Sequence, residues 1–118
     1  MEKALVSEEG ITERHVKAFL DLLILGILNG RAMYGYKIIA AIHKEFGFLL
    51  SPGSLYPLLH ALESKMMVTS TCQSGKIVYA ATPNGRRVFQ STFTDYRAAV
   101  QQLCSFMNSS SESTSPGL

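Results

Sequence analysis

Residues 51–66, SPGSLYPLLHALESKM, decide how the rest of the chain is read. Ser51 can cap a helix, and Pro52 then falls at the first helical position, where its missing N–H costs nothing. Ser54 is a second candidate cap, which would keep Pro57 in the first turn; the sequence leaves both starts open. With the earlier start, Gly53 faces the ring of Pro57, and its lack of a side chain eases the clash. Leu55, Leu58, Leu59, Leu62 and Met66 recur at helical spacing and make one apolar stripe. The opposite face holds Ser54, Tyr56, Pro57, His60 and Ser64, and Glu63 is the only carboxylate of the segment. Free N–H groups at a helix start, hydroxyls and a phenol suit an anion such as a phosphate backbone. Taken alone, the stretch fits an ordinary amphipathic core helix better. Its neighbours reverse that.

Upstream, residues 34–46 (YGYKIIAAIHKEF) form a second helix, with Ile38, Ile39, Ile42 and Phe46 inward and Lys37, Lys44 and Glu45 outward. Gly47 closes it, and residues 47–50 link it to the first stretch, giving the helix-turn-helix order. Farther upstream, Thr12 can cap a helix running to about Leu28. Its stripe is Val16, Phe19, Leu20, Leu23 and Ile27, widened by Leu22, Ile24, Leu25 and Leu28. A helix this apolar is either central to the core or shared between two subunits. Residues 1–12 have no strong period and read as a mobile arm or a short extra turn. Downstream, Val68–Gln73 and Lys76–Ala81 are rich in β-branched and small polar residues, and Ser74-Gly75 between them is a two-residue turn. Three helices followed by a hairpin is the order of a winged helix. The expected fold is mainly α with a two-stranded β wing, a winged helix-turn-helix over residues 13–82.

A last helix begins at Pro83 or soon after. Phe89, Phe93, Tyr96, Val100, Leu103 and Met107 keep an a/d heptad register along it. At about 25 residues, or about 40 Å, it is longer than a core of three helices and a hairpin needs. Residues 83–107 are therefore read as a long C-terminal dimerisation helix with an antiparallel or crossed seam. The tail over 108–118 is Ser-rich without apolar period and is expected to be disordered.

Composition narrows the function. The 118 residues suit one domain. Hydrophobic residues at 47% against 17% charged are apolar for a soluble domain and point to a partner subunit. The longest apolar run, Leu22–Leu28, is far too short to span a membrane, and no signal-peptide pattern is present, so a cytoplasmic protein is expected. Cys72 and Cys104 lie far apart and read as reduced thiols. The net charge is only +2, but residues 30–90 carry Arg31, Lys37, Lys44, Lys65, Lys76, Arg86 and Arg87 against Glu45 and Glu63. A basic middle between slightly acidic ends fits nucleic-acid contact by the middle and subunit contact by the ends. His15, His43 and His60 fall on three separate helices with no partner at metal or catalytic spacing, and no glycine-rich loop cradles phosphate. No enzyme, metal or cofactor is expected. Tyr and Met side chains near the dimer helices could line a small-molecule pocket, although core packing explains them more simply; a small-molecule effector is left open.

Four pieces in order, LLILGILNG (22–30), MYGYKII (33–39), SPGSLYPLLHALESKMMV (51–68) and KIVYAATPNGRRVF (76–89), resemble the PadR family of winged-helix transcriptional regulators. The resemblance covers roughly residues 20–90, and the chain looks like the short subtype, without the longer subtype's extra C-terminal domain. It implies a homodimer that binds double-stranded promoter or operator DNA, usually as a repressor, with the third helix in the major groove. Carried over, Tyr36 and Lys37 match phosphate-facing positions, Ser51, Ser54, Tyr56 and Pro57 match the start of the recognition helix, and Lys76 matches the basic wing. His60 and Ser64, one turn on, are the expected base-facing positions. Pairing by the first and last helices would use Phe19 and Leu23 with Phe89, Phe93, Tyr96, Val100, Leu103 and Met107. Two departures stand out: the wing has a single lysine, and residue 67 is Met where many members have Gly. The rival reading is a winged-helix protein-interaction module without DNA function.

Overall fold

The computed structural model describes residues 19–113; the arm over 1–12 and the Thr12 cap lie outside the described residues. The elements are α1 (Leu20–Ile27), β1 (Met33–Tyr34), α2 (Gly35–Phe46), α3 (Pro52–Ser64), β2 (Val68–Gln73), β3 (Lys76–Ala81) and α4 (Pro83–Ser113). α1 buries Leu20, Ile24 and Leu25, α2 buries Ile38 and Ile42, and α3 buries Leu55, Leu59 and Leu62. The i, i+4 spacing puts each set on one helix face. With Leu28, Leu50, Val68, Tyr79 and Ala81 they form one cluster. Ile24, Ile38, Ile42, Leu55 and Leu59 are fully inaccessible, so truncating any of them to Ala costs about 2–5 kcal/mol. The core face of α1 is therefore Leu20, Ile24, Leu25 and Leu28. The expected Phe19–Leu23–Ile27 stripe turns sideways, toward α4.

Between the two candidate caps of α3, the structure selects Ser51: the Ser54 backbone N–H donates to Ser51 Oγ at 3.2 Å. Pro52 is then the first helical residue, and Pro57 sits inside the helix. Having no N–H, Pro57 cannot donate to the Gly53 carbonyl one turn back. At the other end, the Met66 N–H donates to the Glu63 carbonyl and the Met67 N–H to the Leu62 carbonyl, both at 3.0 Å. That is a Schellman ending, whose left-handed position normally takes Gly. Here Met66 occupies it, with φ 62°, at a cost of roughly 1–2 kcal/mol. Met66 is 71% exposed and does not continue the apolar stripe.

The wing forms as expected, with one addition. Gln73 pairs with Lys76 across the turn, and Ser74 and Gly75 both have positive φ, as the tightest hairpin turns require. The sheet, however, has three strands in the order β1-β3-β2, not the two expected. Met33 pairs with Tyr79 and Tyr34 with Val78. Two residues are too few to show a strand period, yet they cover the edge that β3 would otherwise expose.

α4 opens with Thr82 as its cap: Thr82 Oγ1 accepts from the Gly85 N–H at 2.9 Å and donates to the Met66 carbonyl at 2.6 Å. The helix continues through Ser113, six residues past the last heptad position at Met107. Asn108–Ser113 are thus helical where irregular chain was expected, because extending a formed helix is far easier than starting one. At 1.5 Å per residue α4 is about 46 Å long. It leaves the bundle, and the radius of gyration is 18.0 Å where a compact chain of this length would have about 13 Å.

Candidate nucleic-acid interface

The face of α3 opposite the core is open. Ser51, Pro52, Gly53, Ser54, Pro57, His60, Ala61 and Ser64 are all exposed. The first turn presents backbone N–H groups and the two hydroxyls of Ser51 and Ser54, whose oxygens lie 3.2 Å apart. No acidic residue occupies that turn. Glu63 is turned away from it, because Ser70 Oγ on β2 donates to Glu63 Oε2 at 2.7 Å. This bond ties α3 to the wing and removes the one carboxylate from the exposed face.

Tyr56 stands apart from the other α3 candidates. It is half-buried, with its ring 6.3 Å from that of Tyr79. Its hydroxyl lies so close to Gly35 that any Cβ there would overlap it, which accounts for the Gly-Tyr pair at the start of α2. Tyr36 and Lys37 are exposed on the first turn of α2, and Lys76 is exposed at the start of β3. Tyr36, Tyr56 and Lys76 meet around a hollow of about 330 Å³ with Tyr34, Gly35, Ile77 and Tyr79. Lys37 lines a neighbouring hollow with Tyr34, Gln73 and Val78. His60 and Ser64 lie farther along α3 and line neither. Tyr34 is the member that sequence reasoning missed, because β1 brings it there. The hydroxyl of Tyr79, between α3 and the wing, is pushed above the ordinary tyrosine range by burial, then by Tyr56 and Glu63.

The expected subunit contacts divide in two. Phe19, Leu23, Phe89, Phe93, Tyr96 and Val100 line an apolar cleft of about 620 Å³ between α1 and α4, with Arg31 and Arg97 also on its wall. Within it Phe19 meets Tyr96 edge-on at 5.4 Å, and Phe89 stacks on Phe93 at 5.6 Å. Leu103 and Met107 lie beyond this cleft, 58% and 56% exposed. Phe106, which the heptad reading omitted, is 65% exposed beside them; its position three residues after Leu103 was the available signal.

A helix-turn-helix whose third helix is backed by a hairpin wing defines the winged-helix class. Residues 24–91, more than half of the chain, match the transcriptional regulator PadR-like family. The chain belongs to that family of transcriptional regulators. A transcriptional regulator of Mycobacterium tuberculosis, Rv3488, is 36% identical over 64 residues, 51% of this chain and 56% of that protein. An uncharacterized 37.1 kDa protein in transposon TN4556 of Streptomyces fradiae is 33% identical over 99 residues, 70% of this chain but 29% of that protein. The match thus spans little more than half of one curated relative and under a third of the other. Among solved structures, a PadR family transcriptional regulator from Eggerthella lenta shares the fold with a TM-score of 0.74 at 22% identity, over 82% of this chain and 88% of that one. Bacillus subtilis PadR, solved in complex with operator DNA, gives a TM-score of 0.56 at 26% identity, over 64% of this chain and 46% of its own. Among the described residues, no helix is long and apolar enough to cross a membrane.

Proposed function

We propose that this chain is a cytoplasmic, homodimeric repressor that binds a specific double-stranded operator and acts by occupying the promoter. The observation that carries the reading is the exposed face of α3. It offers a helix N-terminus, two hydroxyls, His60 and Ser64 with its one carboxylate turned away, and the cations Lys37 and Lys76 are exposed around Tyr34. A helix of this kind enters a major groove, its first turn meeting phosphate while side chains one turn on reach base edges. In this reading Ser51, Ser54, Lys37 and Lys76 set register on the backbone, with Tyr36 beside Lys76; Tyr56 and Pro57 shape the helix start, and His60 and Ser64 read bases. The operator-bound Bacillus subtilis relative supports the same choice. Dimerisation through α4 would bury the row of Leu103, Phe106 and Met107, since soluble monomers rarely leave large apolar patches in water. The cleft of about 620 Å³ has the size of a small-molecule site, so an effector bound there is compatible with this reading.

Titrating duplex binding against salt tests the proposal. Log affinity should fall linearly with log salt, and Lys37→Ala or Lys76→Ala should each reduce the slope by about one. A protein-interaction module would show no such slope, and a duplex affinity unchanged between low and physiological salt refutes the DNA reading.

A further inference from the structure

Lys76 is the only basic residue between Val68 and Ala81, the two strands of the wing hairpin. Its ammonium is not left free. Lys76 Nζ lies 5.6 Å from the ring centroid of Tyr34 and 5.8 Å from that of Tyr36. The two rings are stacked, with centroids 5.7 Å apart and planes 6° from parallel. Both distances fall within the range over which a cation is attracted to an aromatic face. The strand register explains the meeting. Tyr34 pairs with Val78, so Lys76, two residues back along β3, lies diagonally across on the same face. Tyr36 arrives from the first turn of α2. Neither ring belongs to the hydrophobic core cluster, and Tyr36 is 53% exposed, so core packing does not account for the pair.

We propose that Tyr34 and Tyr36 are positioning residues, whose stacked rings hold the Lys76 ammonium in place so that the wing's one cation meets a DNA phosphate already ordered. This rests on the DNA-binding reading above. A lysine stem has many rotamers, and fixing it at the moment of binding costs affinity. The rings attract the charge through their faces and leave the N–H donors on the far side of the ammonium available to phosphate oxygens. The first turn of α2, the short strand β1 and the wing thereby act as one contact surface, although their residues lie some forty positions apart in sequence.

Tyr36→Leu keeps apolar bulk at an exposed position and removes the aromatic face. Duplex binding is measured for the wild type, Tyr36→Leu, Lys76→Ala and the double variant, each at several salt concentrations. Tyr36→Leu should weaken binding about 2- to 5-fold with the salt slope unchanged, because Lys76 still reaches its phosphate. Lys76→Ala should lower the slope by about one, and adding Tyr36→Leu to it should cost nothing more. A Tyr36→Leu loss that persists undiminished in the Lys76→Ala background overturns the positioning role, since the ring would then act on DNA or on the fold directly. NMR of the free protein supplies a readout without DNA. The Lys76 methylene protons next to the ammonium should be shifted upfield by the rings and move back in Tyr34→Leu and Tyr36→Leu. Unshifted signals in a wild type that binds duplex overturn the clamp alone. A wild type without salt-dependent binding overturns the DNA reading.

Discussion

Gly85→Ala adds one methyl group to the first turn of α4, and the structure gives it nowhere to go. A Cβ there would overlap the carbonyl oxygen of Met67 and stand 2.9 Å from the carbonyl carbon and 3.2 Å from the Cα. All three are backbone atoms, so no side chain can swing aside. That carbonyl accepts from the Thr82 N–H at 3.0 Å, and Thr82 Oγ1 accepts from Gly85 itself. Moving α4 off Met67 therefore stretches the bonds that start the helix. Overpacking of this kind costs about 1–3 kcal/mol, and a weakened hydrogen bond about 1 kcal/mol more. Alanine returns at most about 1 kcal/mol of helix propensity. The net loss should be about 2 kcal/mol, which lowers the melting temperature by roughly 8 °C for a domain of this size. Gly53→Ala is the control: its Cβ would meet only Ser51 Oγ, at 3.9 Å, and not the Pro57 ring that the sequence set opposite it, so it should leave stability unchanged or raise it. Thermal unfolding followed by circular dichroism, at one protein concentration for all three chains, makes the comparison. Gly85→Ala melting at or above the wild-type temperature would refute the reasoning.

Two further outcomes follow from exposure and burial. Leu103→Asp with Phe106→Asp changes side chains 58% and 65% exposed, so the domain should stay folded while the proposed dimer is lost. Sedimentation at micromolar concentration reads this, and a wild type that already runs as a monomer refutes the seam. Tyr79 is held protonated above the ordinary tyrosine range by burial, then by Tyr56 and Glu63; its stabilising contribution is full below the unfolded pKa of about 10 and declines as pH rises beyond it. Tyr79→Phe should flatten the alkaline loss of the urea midpoint, and an equally steep loss in the variant rules this origin out.

Features set by neighbours in sequence were legible without a structure. The Gly47 stop, the Ser74-Gly75 turn and the starts of α2 and α4 each depend on a few adjacent residues, so local chemistry specifies them, whereas for α3 it offered Ser51 and Ser54 alike and only the structure chose Ser51. What depends on distant partners was not. β1 exists because β3 has an open edge, and nothing in Met33-Tyr34 itself announces a strand. The face that α1 turns to the core could not be chosen, since Leu22–Leu28 is apolar nearly all round and only the position of α4 decides which residues go where. The departure at the end of α3 was read at Met67 because the expected glycine was placed there. The left-handed residue is Met66, one position earlier, and Met67 follows it with its carbonyl set against Gly85. For the candidate interface, the exposed serines of α3 were visible from periodicity alone. The meeting of Tyr36, Tyr56 and Lys76 was not, because it needs the third strand.

The helix with the proposed DNA-facing groups and the helix with the exposed apolar row meet at one junction. The Met66 carbonyl, at the end of α3, accepts from Thr82 Oγ1 at 2.6 Å and Asn84 Nδ2 at 3.4 Å. The Met67 carbonyl accepts from the Thr82 N–H at 3.0 Å, and the missing Cβ of Gly85 lets α4 seat directly on that backbone. At this end the angle between the helices is thus held by backbone and short polar groups, which have far less freedom than the aromatic side chains through which α1 packs on α4. Length makes that stiffness matter. Over about 46 Å, a tilt of 10° at the base would carry the far end of α4 about 8 Å sideways. In the proposed dimer the two α3 helices must lie about 34 Å apart to meet successive major grooves. A loose junction would spread that spacing over several ångströms. With Thr82 and Gly85 in place, pairing of two α4 helices translates into one separation of the recognition helices, so the stability of this junction and the selectivity for half-site spacing should rise and fall together.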